Sequence, residues 1–123
     1  MLEIQIQNAK IVHTSLGVED HGIFTCCLTL EGAGWGCGFG GYALDTWDKT
    51  KHKRVGTAIG FDAIIQLMKT LDVEKWEELK GELVRVETEG WGGKITKIGH
   101  IIKDQWFSFE EFFEKAKVEE NDA

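Results

Sequence analysis

The chain has no proline, one tyrosine and only three cysteines among its 123 residues. Without proline, every turn must be made by glycine or by Asp/Asn chemistry. Cys26, Cys27 and Cys37 are odd in number, two are adjacent, and no C-x-x-C spacing exists. A zinc knuckle and a dithiol redox motif are therefore not indicated, and the thiols read as small hydrophobes kept reduced in a cytoplasmic protein. Positive charge is scarce, with Lys+Arg 14 against Asp+Glu 21 and a formal net charge of -7. That balance argues against DNA or RNA as partner, although a local basic pocket stays open. Long apolar runs are missing too: none approaches the ~20 residues of a membrane helix, and the N-terminus shows no basic-then-apolar leader pattern. No membrane partner is expected, and the expected location is the cytoplasm.

What the chain does have is glycine, 15 residues of it. Gly32, Gly34, Gly36, Gly38 and Gly40 fall on every second position of one stretch. In a strand, that pattern leaves one face as bare backbone and puts Ala33, Trp35, Cys37 and Phe39 on the other. Glycine weakens a strand, so a run of it marks close approach by a ligand, a helix or another subunit. Gly36-Cys37-Gly38-Phe39-Gly40-Gly41 also fits G-x-G-x-x-G. The dinucleotide fingerprint needs a helix opening at its last glycine, and here the next helical pattern begins a dozen or more residues later.

The length suits one domain, residues 1–123, with an acidic tail fraying from about residue 118. Leu2 to Gln7 alternates apolar and polar as a half-buried strand does, with Ile11 and Val12 continuing it past a bend near Asn8. Ser15 to Gly22 reads as a loop or hairpin connection. Ile23 to Glu31 is a second strand with Phe24, Cys26, Leu28 and Leu30 on one face, and the glycine strand pairs back on it. Asp45 to Arg54 reads as an exposed polar loop. A helix follows, with Thr57 as N-cap and Phe61, Ile64, Ile65, Met68 and Leu71 on one side. A short helix over about 73–80 is expected to be capped by Asp72. Glu82–Glu89 and Lys94–Ile102 form a strand pair around Gly90-Trp91-Gly92-Gly93. Ser108 and Glu111 have capping-box spacing before an apolar stripe of Phe109, Phe112, Phe113 and Ala116. The expected fold is α+β: an antiparallel β-sheet of about five strands with two to three helices on one face or end.

No ligand grammar for a metal emerges from His13, His21, His52, His100 and the cysteines, so neither metal nor cofactor is expected. The basic run Lys49–Arg54 is the stronger lead. Lys51, Lys53 and Arg54 bring positive charge to Gly56-Thr57, where free N–H groups of a helix start can face an anion. A merely solvated loop is the alternative. Arg85, His100 and Lys103 offer further phosphate or carbonyl donors. Trp35, Phe39, Tyr42, Trp91 and Trp106 offer flat partners for a base, unless they are simply core.

Ser15-Leu16-Gly17-Val18-Glu19-Asp20-His21-Gly22-Ile23 and Gly38-Phe39-Gly40-Gly41-Tyr42-Ala43-Leu44-Asp45 resemble a family of small phage- and prophage-encoded proteins. So do Trp76-Glu77-Glu78-Leu79-Lys80-Gly81 and Ile98 to Phe107. The resemblance is to Thoeris anti-defence proteins, phage sponges that bind a cyclic ADP-ribose-type immune signal without cleaving it. One departure is Cys37, where the family often has glutamine. The resemblance implies a non-enzymatic binder of a signalling nucleotide, with a closed pocket and a homo-oligomeric state. Under that reading Arg54, Thr57 and Arg85 hold phosphates, Trp35, Phe39 or Tyr42 stacks a base, and Asp20, His21 and His100 bond ribose or base edges. Lys103 joins them as a further donor. Two rivals remain open. One is a protein-binding inhibitor of a defence complex, with Glu110, Glu111 and Glu114 imitating nucleic-acid phosphates. The other is an enzyme degrading the signal, with His21 or His100 as general base.

Overall fold

The computed structural model describes residues 3–19 and 21–122. Eight strands and two helices follow in order: β1 (Ile4–Val18), β2 (Phe24–Gly32), β3 (Trp35–Ala43), β4 (Asp45–Asp48), β5 (Lys53–Gly56), α1 (Ala58–Thr70), β6 (Leu83–Glu89), β7 (Ile95–His100), β8 (Trp106–Phe107) and α2 (Phe109–Asp122). A single 3-10 turn, Trp76–Glu78, stands between α1 and β6. The class is α+β as expected, with more strands: a six-stranded antiparallel sheet ordered β3-β2-β1-β6-β7-β8, and a separate β4-β5 hairpin.

The long central β1 organises the sheet. Its first part, Ile4–Lys10, pairs with β6, and its second part, Lys10–Val18, pairs with β2. A bulge between Ile11 and His13 switches which residues face inward. The bend expected at Asn8 is therefore absent, and the loop expected over residues 15–22 shrinks because ladder hydrogen bonds to β2 carry the strand through Ser15 and Gly17. Four strand spacings separate β3 from β7 in the order, about 19 Å if the sheet were flat. Their Cα atoms nevertheless come within 8 Å. The sheet curls into a nearly closed barrel with its core on the concave side.

Ile11, Leu28, Leu30, Val84, Val86 and Ile98 fill that core, joined by Ala63 and Leu67 of α1 and Phe109 of α2. The face of β3 with Trp35, Cys37 and Phe39 is the inward one, as the alternation predicts. Two inward positions of β1 are polar. The Trp35 indole Nε1 donates to Gln7 Oε1 at 2.8 Å, and Gln7 Nε2 donates to Thr88 Oγ1 at 3.0 Å. This relay turns Gln7 inward and leaves Ile4 and Ile6, the apolar side of the alternation, 64% and 54% exposed.

Three further expectations need correction. Residues 45–54 form the β4-β5 hairpin rather than a loop, with register Trp47↔Arg54 and Asp45↔Gly56. Of the expected apolar side of α1, Leu71 is buried and Ile64 and Met68 pack against the core, but Phe61 is exposed, and the buried residues within the helix are Gly60, Ala63, Leu67 and Thr70. The helix docks by its small residues because Leu44 leaves no room for a larger one at Gly60. Asp72 caps no helix; it adopts a left-handed φ of 55 and closes α1 instead. At the other helix, Ser108 Oγ accepts from Glu111 N at 3.2 Å, so the expected N-cap of α2 forms. Among the described residues, no helix is long and apolar enough to cross a membrane.

Candidate functional site

A cleft of about 480 Å³ lies where the β4-β5 hairpin and the start of α1 meet the β1-β2 end of the barrel. Val18, Phe24, Leu44, Val55, Phe61 and Ile64 give it apolar walls, and Asp45, Arg54 and Thr57 supply its polar groups. The local sequence builds each wall. Thr57 is the N-cap of α1: its Oγ1 accepts from Gly60 N at 2.9 Å and donates to Leu44 O at 3.1 Å. Those two hydrogen bonds fix the helix start against the end of β3. Phe61 then projects from the first turn at 65% exposure, with Val18 at 69% on the β1 side.

Arg54 is held rigidly. Its Nε donates to Asp45 Oδ2 at 2.9 Å and its Nη2 donates to Oδ1 at 2.7 Å, a two-pronged pair. The hydrogen bonds from Arg54 hold the Asp45 carboxyl below the usual carboxylate range, against the opposing effect of burial. Asp45 in turn raises the guanidinium. Both groups stay charged, and neither is poised to move a proton. Of the expected basic run, only Arg54 reaches the cleft. Asp48 Oδ1 accepts from Thr50 N and Lys51 N at 2.9 and 3.0 Å, and this turn carries Lys49 and Lys51 to the exposed hairpin tip.

Arg85, His100 and Lys103 also come together, but at the far end of α1. The 13 residues of that helix span about 20 Å at 1.5 Å per residue, so the two groups belong to different places. There, Arg85 Nε donates to His100 O at 2.8 Å and its Nη2 donates to Lys103 O at 2.7 Å, with the guanidinium 4.8 Å from the Trp106 ring centroid. His100 Nδ1 accepts from Ile102 N and Lys103 N at 3.1 and 3.0 Å, and its Nε2 lies 3.3 Å from Asp72 Oδ2. Nδ1 is thereby the acceptor nitrogen. Lys103 Nζ bonds the same Asp72 carboxylate and is the main cause of that group's lowered pKa. These side chains fasten the β7-β8 turn to the end of α1.

The β3 aromatics occupy a third region. Phe39 lies 5.2 Å from Phe109, and Tyr42 stacks on Phe109 at 5.6 Å and meets Phe113 at 5.8 Å. Trp35 holds the inward relay described above. His21 stands exposed in the β1-β2 turn beside Gly22, which lines the cleft. Asp20 lies outside the described residues.

Of the expected ligand residues, Arg54 and Thr57 line this cleft; Asp45, Val18 and Phe61 line it as well and were not among them. The alternation of Val55 with Arg54, opposite Trp47 and Thr46, is the hairpin signal that would have placed Asp45 beside Arg54. Comparison with known proteins finds no matching family model, no matching curated relative and no matching solved structure.

Proposed function

We propose that the chain is a phage-encoded anti-defence protein that binds and sequesters a cyclic ADP-ribose-type signalling nucleotide without cleaving it, in the cleft at the start of α1. The observation that carries this reading is the joining, in one concavity, of apolar walls with a fixed guanidinium and a helix start. Small-molecule sites combine mostly apolar lining with a few placed polar groups. Phe61, Phe24 and Val18 suit the faces of a base. Arg54 keeps Nη1 for a phosphate oxygen, and the N–H groups of Ala58 and Ile59, the first of α1, suit the same anion. The Asp45 carboxylate suits a ribose hydroxyl. Because Arg54 is already held in place, little side-chain entropy is lost on binding, which favours slow release.

The acidic-mimic reading has less behind it. Glu110 and Glu111 stand 3.8 and 3.5 Å from Lys94 and Lys97, so that face is partly neutralised.

The test is to incubate the purified protein with lysate from cells whose Thoeris system has been triggered, wash it, heat it and identify what is released by mass spectrometry. Intact cyclic nucleotide in near-stoichiometric amount is expected, falling at least about tenfold for Arg54→Ala or Phe61→Ala. A cleaved fragment would point to the enzyme, and no release would overturn the proposal.

A further inference from the structure

Strand β7 ends at His100, and the chain turns back into β8 at Trp106. Residues 101–105, Ile-Ile-Lys-Asp-Gln, include neither glycine nor proline. Turns commonly open on Asn, Asp or Ser, whose side-chain oxygen accepts from the backbone two residues on. Here an imidazole takes that part. His100 Nδ1 accepts from Ile102 N at 3.1 Å and from Lys103 N at 3.0 Å. Both backbone donors converge on one ring nitrogen, so the proton of the neutral ring sits on Nε2, 3.3 Å from Asp72 Oδ2.

The turn built on this ring ties the edge of the sheet to α1. His100 N donates to Gln105 O at 3.0 Å, and Gln105 N donates to Lys103 O at 2.9 Å. Gln105 Nε2 then donates to Thr70 O at 3.0 Å, satisfying a carbonyl that the helix end leaves without an intrahelical partner. The Trp106 ring lies over Gly99, where a Cβ would stand 2.6 Å from Trp106 Cε3.

We propose that His100 is a proton-sensitive latch: proton uptake at Nδ1 opens the β7-β8 turn and frees it from the end of α1. An imidazolium donates at both nitrogens and accepts at neither. Protonating the closed turn would aim the N–H groups of Ile102, Lys103 and the ring at one point, and leave two backbone donors without an acceptor. Residues 101–104 relieve this by swinging away from the ring. An Asn in this place would hold the same turn at every ordinary pH. Histidine is the turn-opening acceptor that changes charge between about pH 5 and 8.

The charges around the ring set how strongly it is drawn to the proton. Asp72, at the end of α1, faces Nε2 and favours the cation. Lys103 Nζ already bonds that same carboxylate oxygen. Arg85 of β6 adds a second positive charge, with Nε on His100 O at 2.8 Å and Nη2 on Lys103 O at 2.7 Å. Asp104, in the turn itself, is taken by the Trp106 indole at 2.9 Å. An imidazolium is therefore a third cation beside Asp72, whose attraction Lys103 has largely answered. The ring side chain is 17% exposed, so water reaches it and supplies the proton.

Nitrogen-15 NMR of the full chain between about pH 8 and about pH 5 tests this. At the upper end the ring shifts are expected to report Nε2–H, with the Ile102 and Lys103 amides protected from exchange. On acidification the protection factors of those two amides are expected to fall at least about tenfold as Nδ1 takes its proton, while the amides of the buried Leu28 and Val86 hold. His100→Asn puts an amide oxygen where Nδ1 stands and does not titrate, so its turn is expected to stay protected throughout. Four results would each overturn the proposal: a ring carrying its proton on Nδ1 at the upper end, turn amides unchanged to the lower end, core amides lost in step with the turn, or a His100→Asn chain that loosens as the wild type does. Nucleotide release reads the cleft at the other end of α1 and does not enter this measurement.

Discussion

Gly60→Ala gives opposite answers depending on whether the helix or the tertiary contact governs. Within α1, replacing glycine by alanine is worth about 1 kcal/mol of added stability from backbone entropy. The contact says otherwise. A Cβ at Gly60 would run into Leu44 O, with Leu44 C at 2.8 Å and Thr57 Oγ1 at 2.7 Å. Those are the atoms that lock the helix start, since Leu44 O accepts both the Thr57 hydroxyl at 3.1 Å and Thr57 N at 3.3 Å. Making room requires the first turn of α1 to move off β3 by several tenths of an ångström. Overpacking of this kind costs about 1–3 kcal/mol, and a weakened Thr57 cap adds about 1 kcal/mol. After subtracting the propensity gain, the expected net loss is about 1–3 kcal/mol. Urea unfolding followed by far-UV circular dichroism reads it directly, as a lower midpoint at unchanged slope. The same shift displaces Phe61 and Arg54's neighbours at the cleft, so under the proposed function nucleotide retention is expected to fall with stability. An increase in the urea midpoint of Gly60→Ala would refute the account of how α1 is docked.

Two other outcomes follow from ionisable groups. Asp45 and Asp72 have folded pKa values below the usual range, Asp45 chiefly through Arg54 and Asp72 chiefly through Lys103. A depressed folded pKa contributes stability that is complete above the unfolded value of about 3.9 and is lost as pH falls through the folded one. The urea midpoint is therefore expected to drop below about pH 4 in the wild type, and to drop less in Asp72→Asn; an equal or steeper drop in the variant would contradict this. Burial, with a smaller effect of Cys27, pushes the Cys26 thiol up to about 12. A thiol reagent at about pH 8 is expected to find Cys27 and Cys37 in the native protein and Cys26 only after unfolding, so three reactive thiols in the native state would count against that burial.

The division between what the sequence determines and what it leaves open follows the range of the forces involved. Strands β2, β3 and β6, the β6-β7 turn, the Thr57 cap and the Ser108 cap are legible because period-2 alternation, glycine turns and N-cap chemistry act over a few residues. The inward face of β3 is legible for the same reason. Three features lay beyond that reach. Gln7 turns inward, and Ile4 and Ile6 outward, because of Trp35 and Thr88, partners 28 and 81 residues away. Residues 15–18 stay in β1 because β2 supplies their ladder bonds. Phe61 faces the cleft because Gly60 and Ala63 let α1 sit close on Leu44.

The candidate site divides along the same line. Arg54 and Thr57 share a cleft because both flank one short hairpin-to-helix junction, which local chemistry builds. Asp45 joins them only through cross-strand register. Arg85, His100 and Lys103 read from the sequence as donors for a ligand, yet the folded chain turns them onto each other and onto Asp72 at the opposite end of α1. Residue types fixed which groups could bind an anion; only the tertiary structure decided where each one sits and what it already holds, because burial and long-range pairing act between segments that the sequence keeps far apart.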